Sequence, residues 1–484
     1  MTADIGILSF GAYIPRNRLQ RSAIHAANAW FAPGLAGLAK GERAIANWDE
    51  DTITMAVEAA RDTLVGIERA TVGSLSLAST TLPFADRLNA GIVKEALTLT
   101  DAVAALDVTG SQRAGTSALI QALHAAAGTS APQLCLAAEL RKARPASEGE
   151  LVHGDAAAGL LIGQGSPIAR FLGAYSTTVD FIDHFRSRKE DFDYTWESRW
   201  IRDEGHLGLV GSALEAALKS FAIDGAAIDR FIVPITARGV AETLAKKTGI
   251  KAKAVADSLS ARVGDSGVAH PFLLLTAALE AAQPGEKILL VGFGQGADVL
   301  LFETTEALTR LPKRRGVAGS LARGAKDENY LRFLFHRGLL DLERGMRAEA
   351  DQKQPGTTLW RQRKTVLGLV GGRCTRTGTV QFPKTDISVS TNDHGVGTQE
   401  DYPLADIPAT ITTYTADSPT YTPTPPNYYG TIDFEGGGRM MTEFTDVDAS
   451  DVEVGRKVGM MFRIKAMDEP RDFVRYFWKA VPLG

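Results

Sequence analysis

The side chains able to do covalent or proton-transfer chemistry are sparse in this chain. It holds two cysteines, Cys135 and Cys374, and eight histidines. Cys135 lies inside the run QLCLAAE (133–139), where a buried apolar thiol is the ordinary use. His153 precedes Gly154–Asp155, and His184 sits in DFIDHFRSR (180–188). His206 closes DFDYTWESRWIRDEGH (191–206), a stretch rich in aromatic and charged residues. Each of these histidines alone reads as structural. As a group they are the source from which a proton-accepting base would come. Asp265, in Gly264–Asp265–Ser266–Gly267, is either a general base with a pKa raised by burial or a turn aspartate bonded to its own backbone. His270 follows at the start of a helical pattern, as a second base or as a capping and packing residue. The Gly-x-Gly-x-Gly of ILLVGFGQGADVLLFE (288–303) is a weak nucleotide signal, because no helix follows it. It reads as a hairpin turn.

These groups need elements to hold them. Up to about residue 310, short apolar runs alternate with Ala-rich helical patterns: SLSLAS (74–79), VAALDV (103–108), QLCLAAE, RFIVPIT (230–236) and KILLVGF (287–293). Helical spacing appears over 52–65, behind Asp51 as a cap, and over 111–127 and 211–221. Strands alternating with helices predict a layered α/β fold. LPKRRGVAGSLARGAK (311–326) is basic and Gly-containing, as a linker would be, and a mixed-charge helical pattern follows it. From about 355, Thr, Val, Tyr, Pro and Gly dominate. TVLGLVGG (365–372), ATITTYTA (409–416), YGTIDFEGGG (429–438), RMMTEFTDV (439–447) and VGRKVGMMFRIKAM (454–467) read as strands of a small five-stranded barrel. No internal repeat is visible.

Bulk properties limit the partners. The chain has 484 residues, with 53 basic and 57 acidic side chains and a net charge of −4. That balance argues against nucleic acid. No run approaches the roughly 18–20 apolar residues of a membrane span, the N-terminus lacks the signs of a signal peptide, and two cysteines build no disulfide framework. A cytoplasmic location is expected.

Four segments of the first 310 residues resemble the 3-hydroxy-3-methylglutaryl-CoA synthase branch of the thiolase superfamily: DVTGSQRAGTSALIQAL (107–123), AELRKARPASEGELVHGDAAAGLLIG (138–163), RFIVPITARGVAETLAKKTGI (230–250) and residues 263–302. Residues from about 327 resemble the OB-fold, zinc-ribbon family found beside or fused to thiolase-like proteins. The carriers are LRFLFHRGL (331–339), LGLVGGRCTRTGTVQFP (367–383), TYTADS (413–418), YGTIDFEGGGRMM (429–441), MFRI (461–464) and VRYFWKAVP (474–482). The resemblance implies a layered αβαβα domain over 1–310, a linker and docking helix over 311–354, and a ribbon remnant plus OB barrel over 355–484. It also implies a CoA thioester as substrate, with a β-keto small molecule, and a homodimer paired through the central sheet.

Residue by residue, the resemblance is incomplete. The family presents a cysteine nucleophile at a strand-to-helix elbow, where the helix N-terminus favours the thiolate. Here that position is Gln112. Glutamine forms no acyl-enzyme, but its amide can donate to a thioester carbonyl or enolate; it is either an active group or a structural remnant. Ser111 is either a substitute nucleophile or a cap. Arg113 faces CoA phosphates or forms an internal ion pair. The family histidine falls on Pro234 and Ile235, so that base is missing, and Asp265 takes an asparagine-type position. Backbone groups of Gly294 and Gly296, with His184 and His206, complete a substrate-binding set. Of the ribbon's four zinc cysteines only Cys374 remains; the others fall on Thr377, Ser388 and Asn392 or Asp393, with His394 nearby. No metal is expected. In the barrel, Tyr428, Phe434, Arg439 and Arg475 are candidates by type for holding a polyanion or an adenine. The expected chemistry makes or breaks a C–C bond beside a thioester without a cysteine acyl-enzyme; the alternative is a non-catalytic partner of an active thiolase-like subunit.

Overall fold

The computed structural model describes residues 4–349 and 356–483. The boundary expected at 354/355 lies outside the described residues. The chain divides into two compact units. The first holds residues 1–47, 55–91 and 100–337; the second holds 48–54, 92–99 and 338–484.

Every apolar run of the first region contains a strand. The strands are β1 (Asp4–Tyr13), β2 (Ser74–Ala78), β3 (Ala104–Val108), β4 (Gln133–Glu139), β5 (Ala156–Gly165), β6 (Ala169–Thr178), β7 (Arg230–Ile232), β8 (Lys287–Phe293) and β9 (Gly296–Thr304). They join in the order β7-β8-β9-β6-β1-β5-β4-β2-β3. Two halves repeat one plan. From the centre outward, β1 pairs antiparallel with β5, β5 antiparallel with β4, and β4 parallel with β2. In the other half β6 pairs antiparallel with β9, β9 antiparallel with β8, and β8 parallel with β7. β3 completes the first half, and a lone parallel bridge from Phe231 to Val255 stands in its place in the second. This duplication is absent from the sequence as read by eye. Pairing direction is conserved by backbone geometry, which many sequences satisfy.

The helices repeat too. α1 (Thr52–Thr63) and α3 (Gly211–Ser220) each follow the first strand of a half; α2 (Ala114–Ala125) precedes β4 and α4 (His270–Ala281) precedes its counterpart β8. Asp51 caps α1 by accepting from the Thr54 N–H at 2.8 Å, as its position predicts. α2 and α4 touch strands of both halves and lie in one apolar cluster with Phe272, Leu273 and Leu119, all fully buried. Each such side chain stabilises the fold by about 1.5–3 kcal/mol through removal from water. This is the layered αβαβα arrangement. α2 and α4 pack on each other, and α2 lies against β2, β3 and β4. Of segment 311–349, the helices Gly316–Ala322 and Tyr330–His336 belong to the first unit, where Tyr330 donates to Glu150 at 2.8 Å.

In the second unit, Arg363–Gly368 is helical, so the strand expected over 365–372 begins only at Val370. Leu369, at φ +48°, ends the helix. The barrel strands are β10 (Ala409–Asp417), β11 (Asn427–Phe434), β12 (Arg439–Glu443), β13 (Lys457–Asp468) and β14 (Phe473–Pro482), in the order β12-β11-β10-β13-β14. A parallel bridge between Phe444 and Ala480 brings the chain beyond β12 to β14. Phe462 and Trp478 pack edge-to-face inside, with ring centroids 5.3 Å apart.

Candidate functional site

Parallel strands leave their C-terminal ends at one edge of an α/β sheet, and ligands bind there. In the first unit this edge carries Ser79–Thr80–Thr81 after β2, the Gly110–Arg113 turn after β3, and Glu139–Arg141 at the end of β4. The turn before α2 and its repeat-mate before α4 meet at this place. A Cβ on Gly267 would lie 2.6 Å from Gln112 Oε1, so only glycine, here at φ +52°, lets the two loops close on each other.

Gln112 donates through Nε2 to Thr80 Oγ1 at 3.2 Å, and its Oε1 is buried without a protein partner. Glu139, fully buried, accepts from Thr80 twice, from the N–H at 3.1 Å and from the hydroxyl at 3.0 Å. Burial pushes its carboxyl up, and the hydrogen bonds from Thr81 and Thr80 and the charge of Arg141 only partly oppose this. Arg141 reaches Asp193 at 3.0 Å and Asp265 at 3.4 Å. Burial works to discharge Arg141, but Asp265, Asp193 and Glu139 outweigh it. Burial likewise works to raise Asp193, and Arg141 and Arg186 overcome it and hold the carboxylate down.

A short hairpin, His184–Phe185 paired with Tyr194–Thr195, reaches this place from the end of β6. Arg186 fastens it, donating to Asp193 at 2.7 Å and to the Thr80 carbonyl at 2.5 Å. His184 Nδ1 lies 2.7 Å from Asp183 Oδ2. His153 is held neutral, its pKa well below the usual value, first by burial and then by Arg141, Arg43 and His184. His206 sits on a π-helical segment, Ile201–Val210, its ring edge-on to Phe293 with centroids 5.0 Å apart. Burial lowers its pKa against the pull of Asp183 and Asp265. π-Helical turns recur at functional sites because they widen the helix and re-aim side chains.

Several expected roles change. Of the two uses expected for Arg113, the internal ion pair is present: it donates to Asp298 at 2.7 Å, Thr178 at 2.7 Å and the Gly294 carbonyl at 2.9 Å. Ser111 is a turn residue, its hydroxyl donating to the Gly294 carbonyl at 2.9 Å. Gly294 is no oxyanion donor, since its N–H goes to the Gly296 carbonyl at 3.1 Å. It is glycine because a Cβ there would meet the Gln112 backbone nitrogen at 3.1 Å. Gly296 lies in β9 against β6, where a Cβ would strike the Thr177 carbonyl. Both glycines form the hairpin turn. Asp265 bonds its own turn through the Gly267 N–H at 2.9 Å while pairing with Arg141, so it serves as turn aspartate and charge partner. His270 is fully buried against the Ser266 hydroxyl at 3.1 Å, a packing position. Phe434 is buried in the barrel, and Arg439 pairs with Asp433 at 2.6 Å, so neither is free for a ligand. Cys135 is a buried thiol, its pKa pushed up by burial to about 11.

The structure adds Thr80, Glu139, Arg141, Asp183, Arg186 and Asp193. An acid closing the apolar run QLCLAAE, a run of hydroxyls after SLSLA, and an Asp beside a His are the signals that could have marked three of them.

Zinc does not fit the ribbon. Cys374 Sγ lies 3.2 Å from the Thr398 hydroxyl, and hydrogen bonds from Thr377 and Thr398 hold the thiol down to about 6. Asp393 is taken by Arg376 at 2.8 Å and His394 is exposed. Among the described residues no group of three His, Cys, Asp or Glu side chains is placed to hold a metal.

The model of the 3-oxoacyl-[acyl-carrier-protein] synthase III C-terminal domain matches residues 218–300, and that of the ChsH2 C-terminal OB-fold domain matches residues 403–463. The hydroxymethylglutaryl-CoA synthase of Archaeoglobus fulgidus is 29% identical over 342 residues, covering 69% of this chain and 98% of the relative. That of Pyrococcus furiosus is 27% identical over 300 residues, covering 61% and 84%. Among solved structures, an HMG-CoA synthase complexed with CoA superimposes with a TM-score of 0.60 at 17% identity, over 72% of this chain and 94% of that one. The 3-oxoacyl-(acyl carrier protein) synthase III of Pseudomonas aeruginosa PAO1 gives 0.56 at 17% identity, over 63% and 99%.

Proposed function

We propose that this chain, a relative of the hydroxymethylglutaryl-CoA synthases with a thiolase-like fold and a C-terminal OB-fold domain, makes or cleaves a C–C bond beside a CoA thioester without a cysteine acyl-enzyme. The observation that carries the reading is the state of residue 112. A glutamine amide stands at the helix-opening turn with one N–H held by Thr80 and its oxygen buried without a partner, beside a charged hairpin bearing a His–Asp pair. An amide there takes no acyl group, but its second N–H is available to an enolate oxygen.

The reaction that asks least of the missing groups is cleavage of a β-ketoacyl-CoA by water. His184, oriented by Asp183, takes a proton from water as the oxygen adds to the β-carbonyl carbon. The bond between the α and β carbons then breaks, leaving a carboxylic acid and the enolate of the shortened thioester. Gln112 donates to that enolate oxygen, and the histidinium returns its proton to the α-carbon. Run in reverse, the same groups serve condensation. The active form is a homodimer joined along the edge of β3 that has no partner strand among the described residues.

The test is incubation with acetoacetyl-CoA and longer 3-ketoacyl-CoA thioesters, following loss of the 3-ketoacyl group, formation of the shortened acyl-CoA and acid release. Turnover abolished by Gln112→Met is expected; turnover that Gln112→Met leaves intact overturns the reading. The altered elbow, the missing histidine at Pro234 and the turn-bound Asp265 equally favour a non-catalytic partner of an active thiolase-like subunit. Absence of turnover together with stable co-purification of a cysteine-bearing homologue would establish that second reading.

A further inference from the structure

The amide of Gln112 has two ends of opposite hydrogen-bonding character, and which end faces the cleft decides what it can bind. Nothing in glutamine itself settles this, because a half-turn about its last bond exchanges Nε2 and Oε1 at almost no steric cost. The neighbours must settle it.

Both oxygens of Glu139 are acceptors for the same residue: the Thr80 N–H at 3.1 Å and the Thr80 hydroxyl at 3.0 Å. The backbone N–H cannot turn away, so it pins one carboxylate oxygen. The hydroxyl proton is then committed to the other. Thr80 Oγ1 keeps only lone pairs for its remaining neighbour, 3.2 Å away, and that neighbour must be a donor. Nε2 of Gln112 is therefore turned toward Thr80, and Oε1 toward Gly267, which has no side chain of its own to meet it. We propose that Glu139 is the positioning residue of the site, acting through the Thr80 hydroxyl to fix the orientation of the Gln112 amide.

The arrangement has a direct consequence. With Glu139 in place, the amide keeps one N–H on Thr80 and its oxygen buried against Gly267, which fixes the direction of its second N–H. Remove the acceptor character of Glu139 and the Thr80 hydroxyl becomes free to donate to Oε1, so the amide turns and the N–H used for the enolate is withdrawn. Glu139 touches no reacting atom and is not itself a catalytic residue. The inference rests on the proposed role of Gln112 only for its effect on rate; the orientation itself is independent of any reaction.

The test compares wild type with Glu139→Gln, Thr80→Val and Thr80→Ser in the full chain. Selective [15N]glutamine labelling reports the side-chain amide of Gln112, identified by its loss in Gln112→Asn. Acetoacetyl-CoA turnover is measured on the same samples, and thermal melting confirms folding. Thr80→Ser keeps the hydroxyl and should leave the Gln112 amide protons at their wild-type shifts, with kcat within about threefold of wild type. Thr80→Val and Glu139→Gln should both move or broaden those resonances and lower kcat by about tenfold or more, with KM within about threefold. A folded Thr80→Val and Glu139→Gln with unchanged Gln112 resonances overturn the inference. If Glu139→Gln does not fold, Thr80→Val against Thr80→Ser decides alone. If the resonances respond as expected but wild type does not consume acetoacetyl-CoA, the inference stands and the proposed hydrolysis of that thioester falls.

Discussion

The imidazole of His184 meets the carboxylate of its chain neighbour Asp183 through Nδ1, at 2.7 Å. Adjacent residues rarely face each other in a strand, since successive side chains alternate sides. Here Asp183 precedes the two-residue strand, and the turn lets the carboxylate fold back on the ring. The contact fixes the tautomer with the proton on Nδ1 and leaves Nε2 as the basic nitrogen. His184→Ala is expected to lower acetoacetyl-CoA turnover by about 10²-fold or more, and Asp183→Asn by less, with the melting temperature of both near wild type. Steady-state kinetics beside a thermal melt checks this; equal activity in His184→Ala would remove the base from the scheme.

Buried histidines make stability depend on pH in a set direction. The folded pKa of His153 lies well below its ordinary value of 6.5, through burial and through Arg141 and Arg43. Its contribution is whole above the unfolded pKa and is lost as pH falls toward the folded value, because only the unfolded chain gains a proton in that window. The slope approaches ~1.4 kcal/mol per pH unit below about pH 6.5 for one such group. His206 and His270 act with the same sign. The raised carboxyls of Glu139 and Glu150 act oppositely, since their contribution is present below the unfolded pKa and lost as pH rises through the folded one. The difference between proteins isolates the histidine: denaturation of His153→Gln from pH 7.5 down to 5.5 should show a flatter loss of stability than wild type.

In the second unit, a fully buried Arg463 lies 3.0 Å from Glu50, 3.0 Å from Asp446 and 3.9 Å from Asp49, while Lys479 lies 3.0 Å from Asp49. Burial works to raise Asp49, and Lys479 and Arg463 overcome it and hold it down. Replacing Arg463 by Met removes the buried guanidinium that Glu50, Asp446 and Asp49 share, and should cost ~3–5 kcal/mol. Urea denaturation followed by far-UV circular dichroism measures it. Arg463→Met combined with Asp49→Asn should recover part of the loss, and strictly additive losses would contradict the coupling. Because Asp49 and Glu50 lie in 48–54, a fragment starting at residue 338 should melt below the full chain.

Strand β3 has no neighbour on its outer side among the described residues, and Leu106 on it is 48% exposed. An unpaired edge is a template for another strand. If a second copy pairs there, Leu106→Lys should convert dimer to monomer in sedimentation equilibrium at micromolar concentration while leaving the far-UV spectrum unchanged. A Leu106→Lys protein with the mass of wild type would place any association elsewhere.

Local patterning sufficed for much of the fold. Apolar runs marked strands β2, β3, β4, β7 and β8, and Asp51 marked the start of α1, because hydrophobic burial and capping are satisfied by neighbours in the chain. The strand expected over 365–372 failed, since tertiary packing lets a β-rich composition close a helix at Gly368.

The sequence by itself determined the layered α/β class and the β-rich C-terminal part, for these reside in residue type and order. Only the tertiary structure decided that the two halves of the first unit are copies of one pairing plan, that Arg113, Ser111 and Gly294 are hydrogen-bonded to one another, and that Glu139 stands behind Thr80 and Gln112. The physical reason is range: a hydrogen bond between residues 80 and 139, or an ion pair between 141 and 265, leaves no trace in spacing along the chain. It exists only once the strands that carry those residues have ended at the same edge of one sheet.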